Sequence, residues 1–400
     1  MNQQIGLSMR FLTAGESHGP QLTIIVDDVP AGIPISIEAM NHQLARRQQG
    51  YGRGGRMTIE TDRAQVKAGI RFGKTTGAPI ALVIENRDYS KWVEVMAVEG
   101  DPTTEALEKR FSRPRPGHAD LAAFYKYGLT DLRDALERAS ARETAARVAA
   151  GAIARQLLEA FGIGITSHVV QLGAIRVDES LIPTSVKAIE TIAEANDCRT
   201  TGNDAIVAAM HIAVDEARMA GTTLGGEIEV VVDGLPPGLG SYAQWDRKLD
   251  GQLAQAVMSI QAVKSVSIGA GAEGASRDGA NFHDAIVPVE RGLQRPTNRA
   301  GGLEAGVTNG QPLVIRVIMK PIATLRVPLD SVNLDTGKAE AAHFERSDVT
   351  AVPACGVVAE AMVALVLARA VMDKFGHDCL SDMLKAKKAY EERLVPAPIL

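Results

Sequence analysis

The sequence predicts an α+β fold, organised as one domain with two related halves. Strand, helix and strand recur on both sides of a helix-rich middle. No Pro/Ser-rich linker interrupts the 400 residues, so a single domain over 1–400 is expected. Hydrophobic residues make up 46% of the chain and aromatics only 4%. That composition is globular, and its core must be built from Ala, Val, Ile and Leu.

Each element has a local reason. Residues 1–8 read as a loose tail. Leu22 to Val29 (LTIIVDDV) reads as a strand, closed by Pro30-Ala31-Gly32. Ser36 is the expected N-cap of a helix through Leu44 to Gln49, with Glu38 in its first turn. Gly50 to Arg56 forms a glycine–arginine loop, and Met57 to Ile70 and Ile80 to Ile84 have strand character. Residues 86–120 hold many breakers without periodicity and read as a long functional loop. Asp131 to Phe161 reads as one long helix, N-capped by Asp131 and closed by Gly162, with Gly151 marking close helix packing. A helix over Asn203–Met219, a strand over Gly226–Val232 and a helix over Asp246–Ser259 follow. Pro312 to Met319 is a strand, and Val352 to Phe375 is a long Ala/Val-rich helix. A C-terminal helical tail occupies 380–400, amphipathic over 380–395.

Formal charge is −5, which argues against a general nucleic-acid or membrane-surface binder but leaves room for a basic pocket. Cys198, Cys355 and Cys379 form no C-x-x-C pair, so a reducing compartment is expected. The N-terminus lacks the features of a secretory signal. Val357 to Met372 is interrupted by Glu360 and Arg369 and reads as too short and too charged to span a bilayer. A soluble cytoplasmic protein is the expectation.

Six clusters carry possible chemistry. In Gly15-Glu16-Ser17-His18-Gly19, glycines bring backbone close to a ligand and His18 offers a proton near neutral pH; the plainer alternative is a turn with a hydrogen-bonded His. The run Arg46-Arg47-x-x-Gly50-Tyr51-Gly52-Arg53-Gly54-Gly55-Arg56 suits a multiply charged anion, through bidentate guanidinium and backbone N–H donors. A solvated basic loop and an RGG-type RNA-binding segment are the alternatives; the latter normally comes in repeats. In Arg113-Pro114-Arg115-Pro116-Gly117-His118-Ala119-Asp120, prolines stiffen a loop that sets two guanidinium groups beside His118, which should ease loss of its proton. Along Glu137-Arg138-Ala139-Ser140-Ala141-Arg142, a continuous helix would put Arg138 and Arg142 on one face, with small residues leaving room for a flat ligand; plain surface ion pairs are the alternative. Lys320-Pro321-Ile322-Ala323-Thr324 follows a strand directly, and Arg346-Ser347-Asp348 lies in a polar loop before the last long helix. Gly269-Ala270-Gly271-Ala272-Glu273-Gly274 mimics a dinucleotide fingerprint, but its continuation breaks a helix, so it reads as a loop. No H-E-x-x-H, Walker loop, Cys–His cluster or G-x-S-x-G appears, and no metal site is expected.

Read together, these clusters describe a pocket for a small polyanion. The sequence also resembles the chorismate synthase family over nearly its whole length. The matching stretches are GESHG (15–19), RRQQGYGRGGR (46–56), RPRPGHAD (113–120), ERASARETAARVAAG (137–151), SIQAVKSVSIG (259–269), NRAGG (298–302), KPIAT (320–324) and RSDVTAVPA (346–354). The GYGRG form of the arginine loop replaces a different short loop in other members, and the tail 1–8 is additional. The resemblance implies helices sandwiched between antiparallel sheets (a β-α-β-α sandwich) with an internal pseudo-two-fold, assembled as a homotetramer. It implies a lyase converting 5-enolpyruvylshikimate 3-phosphate to chorismate and phosphate by trans-1,4-elimination, the last common step of aromatic biosynthesis. That reaction needs reduced FMN without net redox change.

Carried over, His18 is an acid near the leaving phosphate, His118 an acid near flavin N1 and O2, and Asp348 a helper of flavin N5 as base. Flavin contacts fall on Arg138, Ala139, Ser140, Gln261, Ala262, Ala305, Lys320, Pro321, Ile322, Ala323, Thr324 and Arg346. Arg47 and Arg53 match positions that hold phosphate, of the substrate or of NADPH. No reductase domain is evident, so an outside flavin reductase is the expected partner, with NADPH at most an indirect reductant. A non-catalytic anion- or RNA-binding protein and an ordinary flavin oxidoreductase are the alternatives.

Overall fold

A computed structural model describes residues 9–54, 61–289 and 293–394. The expected tail 1–8, Gly55 and Arg56 of the arginine loop, Met57 to Glu60 of an expected strand, and the last six residues of the C-terminal tail lie outside these.

The first half builds β1 (Arg10–Ala14), β2 (Gln21–Asp27), α1 (Ile37–Gln48), β3 (Ala64–Ala68), β4 (Ile80–Glu85), α2 (Arg133–Ala139) and α3 (Thr144–Ala160). The second half builds β5 (Gly164–Leu172), β6 (Ile175–Arg176), α4 (Val186–Glu194), α5 (Asp204–Met219), β7 (Gly226–Asp233), α6 (Leu249–Met258), β8 (Val263–Ile268), β9 (Leu313–Met319), α7 (Val352–Phe375) and α8 (Leu380–Leu394). The fold is thus mixed helix and sheet. The two larger sheets among the described residues are antiparallel, with orders β1-β2-β4-β3 and β8-β9-β7-β5-β6.

Alternation fixes the register of the first sheet. Leu22, Ile24 and Val26 of β2 and Ile80, Leu82 and Ile84 of β4 are buried, with Ile24 opposite Leu82. Helix α3 packs on this sheet and on α1, and α7 packs on α3, α1, α6 and the strands β5 and β7. The α3–α7 crossing is tight because Gly151 lacks a side chain: a Cβ there would lie 2.4 Å from that of Ala361. Close packing expected at Gly151 is therefore present.

Helix α7 has mean hydropathy 2.0 over its most apolar window, long and apolar enough to cross a membrane, yet 94% of that window is buried inside the protein. Its burial, rather than the shortness expected from its charges, makes it a core helix. Those charges are accommodated inside. Glu360 takes Arg46 in two bonds of 2.7 and 2.9 Å, Arg155 at 3.0 Å and the Ser167 hydroxyl at 2.6 Å.

Three readings need correction. The expected helix Asp131–Phe161 is broken at Ser140, whose ψ of 144° leaves helical space, and a 3-10 turn over Ala141–Glu143 precedes α3. The N-cap position falls on Leu132 rather than the expected Asp131, which lies one residue earlier and accepts from Arg133 N at 2.9 Å. The loop 86–120 contains a 3-10 turn, Arg87–Lys91, and a short helix, Thr104–Lys109. Strand β5 and helix α4 were not foreseen. By contrast, the Ser36 cap is present, its hydroxyl accepting from Ala39 N. The glycine run at 269–274 sits on a short 3-10 turn, Gly271–Ser276, as its breakers require.

Candidate active site

A cavity of about 780 Å³ opens where strand ends, the broken α2–α3 junction and the loops before α7 meet. Of the foreseen residues it is lined by His18, Arg47, Arg53, His118, Ala139, Ser140, Gln261, Ala262, Lys320, Ile322, Ala323, Thr324, Arg346 and Asp348.

At one end the GESHG turn packs on α2. Gly15 has φ +112°, and a Cβ on it would meet the Gln21 carbonyl at 2.3 Å, so the turn demands glycine. The ring Nδ1 of His18 lies 2.8 Å from Glu137 Oε1, and its backbone N–H donates to Glu137 Oε2 at 2.8 Å. The indole of Trp92 stacks on the imidazole at 4.0 Å between centroids. Ser140 Oγ, released by the helix break, meets Ser17 Oγ at 3.1 Å.

The middle of the wall is cationic and partly neutralised. Arg47 is buried and donates to Thr144 Oγ1 and the Ala141 carbonyl, both at 2.8 Å, with Asp62 at 3.5 Å. Burial and the neighbouring Arg142 and Arg53 push its guanidinium down to about 10, opposed by Asp62; it remains charged at neutral pH. Arg142 pairs with Asp62 at 2.5 Å. Arg53 pairs with Asp348 at 3.0 Å, and Gly54 N–H donates to the same carboxylate at 2.6 Å. The ion pair of Asp348 is thus made with Arg53 from the glycine–arginine loop.

At the far end the RPGHAD turn meets the strand end Lys320–Thr324. Arg115 donates to Asp120 at 2.8 and 3.0 Å and to Thr324 Oγ1 at 3.0 Å, while Lys320 Nζ donates to the Gly117 carbonyl at 3.1 Å. The expected all-cationic setting of His118 is corrected here. Asp120 Oδ1 lies 2.5 Å from His118 Nδ1, Arg115 Nη2 lies 2.9 Å from it, and Arg113 turns away toward Glu340. Burial pushes the Asp120 carboxyl up, but hydrogen bonds from His118 and Arg115 outweigh it and hold the group well below the carboxylate range. Burial and the charge of Lys264 lower the Lys320 ammonium.

Arg138, Ala305 and Pro321 are not brought to the cavity wall. The helix break separates Arg138 from Arg142, so they share no face. Arg138 caps the Thr13 and Gly15 carbonyls at 2.9 and 3.2 Å. Ala305 occupies the tight turn between Leu303–Glu304 and Val307–Thr308, with φ +52°. Sequence reasoning also left Glu137, Asp120, Trp92 and Asp62 without roles. Only the i,i+4 pair Arg133–Glu137 and the short spacing His118–Asp120 left any signal in the sequence.

The wall leaves room for a flat ring and offers one unsatisfied acceptor. Ala139, Ser140, Ala262 and Ala323 are small, leaving space for a flat ring. Gln261 donates to Glu143 at 3.1 Å while its Oε1 is buried with no hydrogen-bond partner; a ligand N–H or hydroxyl would satisfy it. Away from the cavity, Asp197, Cys198 and His211 bring possible metal-ligand atoms within 4.8 Å of one another. There His211 is held by Asp197 at 2.7 Å, and burial and Asp197 push the Cys198 thiol up to about 12.

A family model described as chorismate synthase matches residues 9–372. Chorismate synthase 1 of Bacillus cereus (strain ATCC 10987 / NRS 248) is 52% identical over 375 residues, covering 92% of this chain and 95% of that protein. The chorismate synthase of Symbiobacterium thermophilum is 53% identical over 390 residues, covering 96% and 99%. A crystal structure titled chorismate synthase superposes with TM-score 0.78 at 41% identity, covering 97% of this chain and 98% of that one. The chain belongs to the chorismate synthase family.

Proposed function

We propose that the cavity is the site of the chorismate synthase reaction, in which 5-enolpyruvylshikimate 3-phosphate yields chorismate and phosphate. The observation that carries this is the meeting of His18, His118, the Arg47–Arg53–Arg142 cluster and the Lys320–Thr324 strand end around one cavity, in a chain of this family. Guanidinium groups suit the substrate's phosphate and carboxylates. Arg53 and Arg47 are the residues proposed for the phosphate, of substrate or of NADPH. An anion reaching Arg53 competes with Asp348 for it.

Ala139, Ser140, Gln261, Ala262, Lys320, Ile322, Ala323, Thr324 and Arg346 are the residues proposed to hold FMN; Arg138, Ala305 and Pro321 would act through backbone or through an assembly. Reduced FMN supplies electron density for loss of the phosphate and a nitrogen base for the substrate proton. Within the chain, His18 supplies a proton to the departing phosphate. His118 holds a proton at the far end, oriented by Asp120. Asp348 accepts bonds from Arg53 and Gly54 on the cavity wall and would support the flavin's basicity when FMN is bound.

The same reading extends to the sandwich arrangement with its pseudo-two-fold, supported by a sheet and a closing long helix in each half, and to a cytoplasmic homotetramer served by an external flavin reductase. The test is anaerobic turnover with reduced FMN. Chorismate and phosphate in equal amounts, without net flavin oxidation, support the reading. Net flavin oxidation with no chorismate would favour an oxidoreductase, and no flavin binding would favour a plain anion binder.

A further inference from the structure

We infer that Glu137 is the positioning residue for His18, holding Nδ1–H so that Nε2 carries the transferable proton. The inference rests on the reading of His18 as the acid at the leaving phosphate. Four observations converge on it. Both carboxylate oxygens of Glu137 lie within 3.0 Å of His18 Nδ1, and one also takes the backbone N–H of His18. The Glu137 backbone carbonyl accepts from Ser17 N–H at 3.0 Å, so Glu137 holds the turn through backbone and side chain together. The carboxylate is 2% exposed and the imidazole 11%, which excludes most competing water. Trp92 covers one face of the ring, with Lys109 Nζ 4.3 Å from the indole centroid, so the imidazole cannot easily flip.

Charged groups of both signs surround Glu137: Asp134 of the same helix is a like charge that repels it, and burial and the carboxylates of Asp131 and Glu137 raise the Asp134 carboxyl. From its own helix, Arg133 donates to Glu137 Oε1 at 3.2 Å. Arg133 also donates to Glu345 at 3.0 Å, and His343 lies 3.1 Å from Glu345. Asp88 and Lys91 line the same end of the cavity beside Trp92. A carboxylate on Nδ1 leaves Nε2–H as the donor to a phosphate oxygen. As the carbon–oxygen bond breaks, its electron pair goes to the phosphate oxygen and the Nε2 proton follows. The neutral ring then remains as the Nδ1–H tautomer, still bound to Glu137, until solvent returns the proton.

The experiment compares Glu137→Gln and Glu137→Asp with the parent holoenzyme. The amide keeps one acceptor oxygen in place of two and loses the charge, so kcat should fall about ten- to a hundredfold with KM unchanged. Loss of the charge should move the alkaline limb of the kcat–pH profile down by about one unit, and Glu137→Asp should recover part of both effects. A second readout needs no turnover. Diethyl pyrocarbonate labelling of His18 in the flavin-free protein, followed by peptide mass spectrometry, should quicken roughly threefold or more in Glu137→Gln as neutral imidazole becomes more available.

Unchanged labelling in the folded variant overturns the pairing itself; if Glu137→Gln does not fold, Glu137→Asp carries the same comparison. Faster labelling with an unmoved pH profile overturns the positioning role while leaving the contact intact. Full turnover in His18→Gln overturns the underlying assignment of His18 as acid.

Discussion

Two histidines in this site have the same partner chemistry on different local scaffolds. His18 meets Glu137 of a helix 119 residues away, whereas His118 meets Asp120 within its own turn. His118→Ala should lower turnover about ten- to a thousandfold, the range of general acid loss, with the fold intact. An unchanged rate at saturating reduced FMN would remove His118 from the mechanism. Asp348 separates charge from shape. Asp348→Asn keeps an acceptor for Gly54 N–H but removes the carboxylate charge beside Arg53. The expected result is near-native flavin and substrate affinity with a slower elimination step in single turnover. A normal single-turnover rate, with weakened flavin affinity and lower thermal stability, would make Asp348 a loop anchor only. The arginines of this site were legible from residue type and glycine spacing. Their partners were not, because Asp348 lies 294 residues from Gly54 and Asp62 lies 80 from Arg142. Pairing at that separation is decided by the fold, and no local pattern encodes it.

At the scale of elements, legibility followed the strength of the local signal. Helix α7 was foreseen over Val352–Phe375 because its apolar run is unbroken, with Pro353 near its start and Gly376 just beyond its end. The junction at Ser140 was not foreseen, since Ala, Arg and Glu on both sides are equally good helix formers. There the Ser17–Ser140 contact and the burial of Arg142 outweigh propensity. Strand β5 was missed because Thr166, Ser167 and His168 interrupt its apolar pattern although all three are buried. Glycine at 151 makes an element-level prediction. Gly151→Ala gains helix propensity worth about 1 kcal/mol. It also drives a Cβ into Ala361, with Cβ, Cα and carbonyl atoms at 2.4, 2.6 and 2.8 Å. Overpacking costs of about 1–3 kcal/mol or more should win, so the urea midpoint should fall. Adding Ala361→Gly should restore part of the loss. An unchanged midpoint in the single variant would mean that α3 and α7 separate freely.

For the whole molecule, the charge set at the centre of the fold decides its response to acid. Glu360 lies on the core helix and joins Arg46 of α1, Arg155 of α3 and Arg199 before α5, with Ser167 of β5 as a further donor. One carboxylate thereby ties both halves together. Burial pushes its pKa up, but the three guanidinium groups outweigh burial and bring it down to about 2 from the ordinary 4.5. Glu345 falls to about 2 as well, burial opposing the stronger pull of His343 and Arg133. A carboxylate whose folded value is depressed contributes stability above its unfolded value and loses it as pH falls through the folded one. The denaturation midpoint should therefore stay nearly flat from pH 7 to about 5, then drop between about 4.5 and 2. Glu360→Gln should behave differently in two ways. At pH 7 it leaves the buried guanidinium groups of Arg46 and Arg199, and the half-buried one of Arg155, without their shared counter-charge, at a cost of about 3–5 kcal/mol. Below pH 4.5 it should decline less steeply than the parent, because the group that would take up a proton is gone. Urea midpoints of both proteins at half-unit pH steps measure the two effects together. Parallel acid limbs, with the variant merely displaced, would show that Glu360 does not control acid unfolding and that the peripheral carboxylates do.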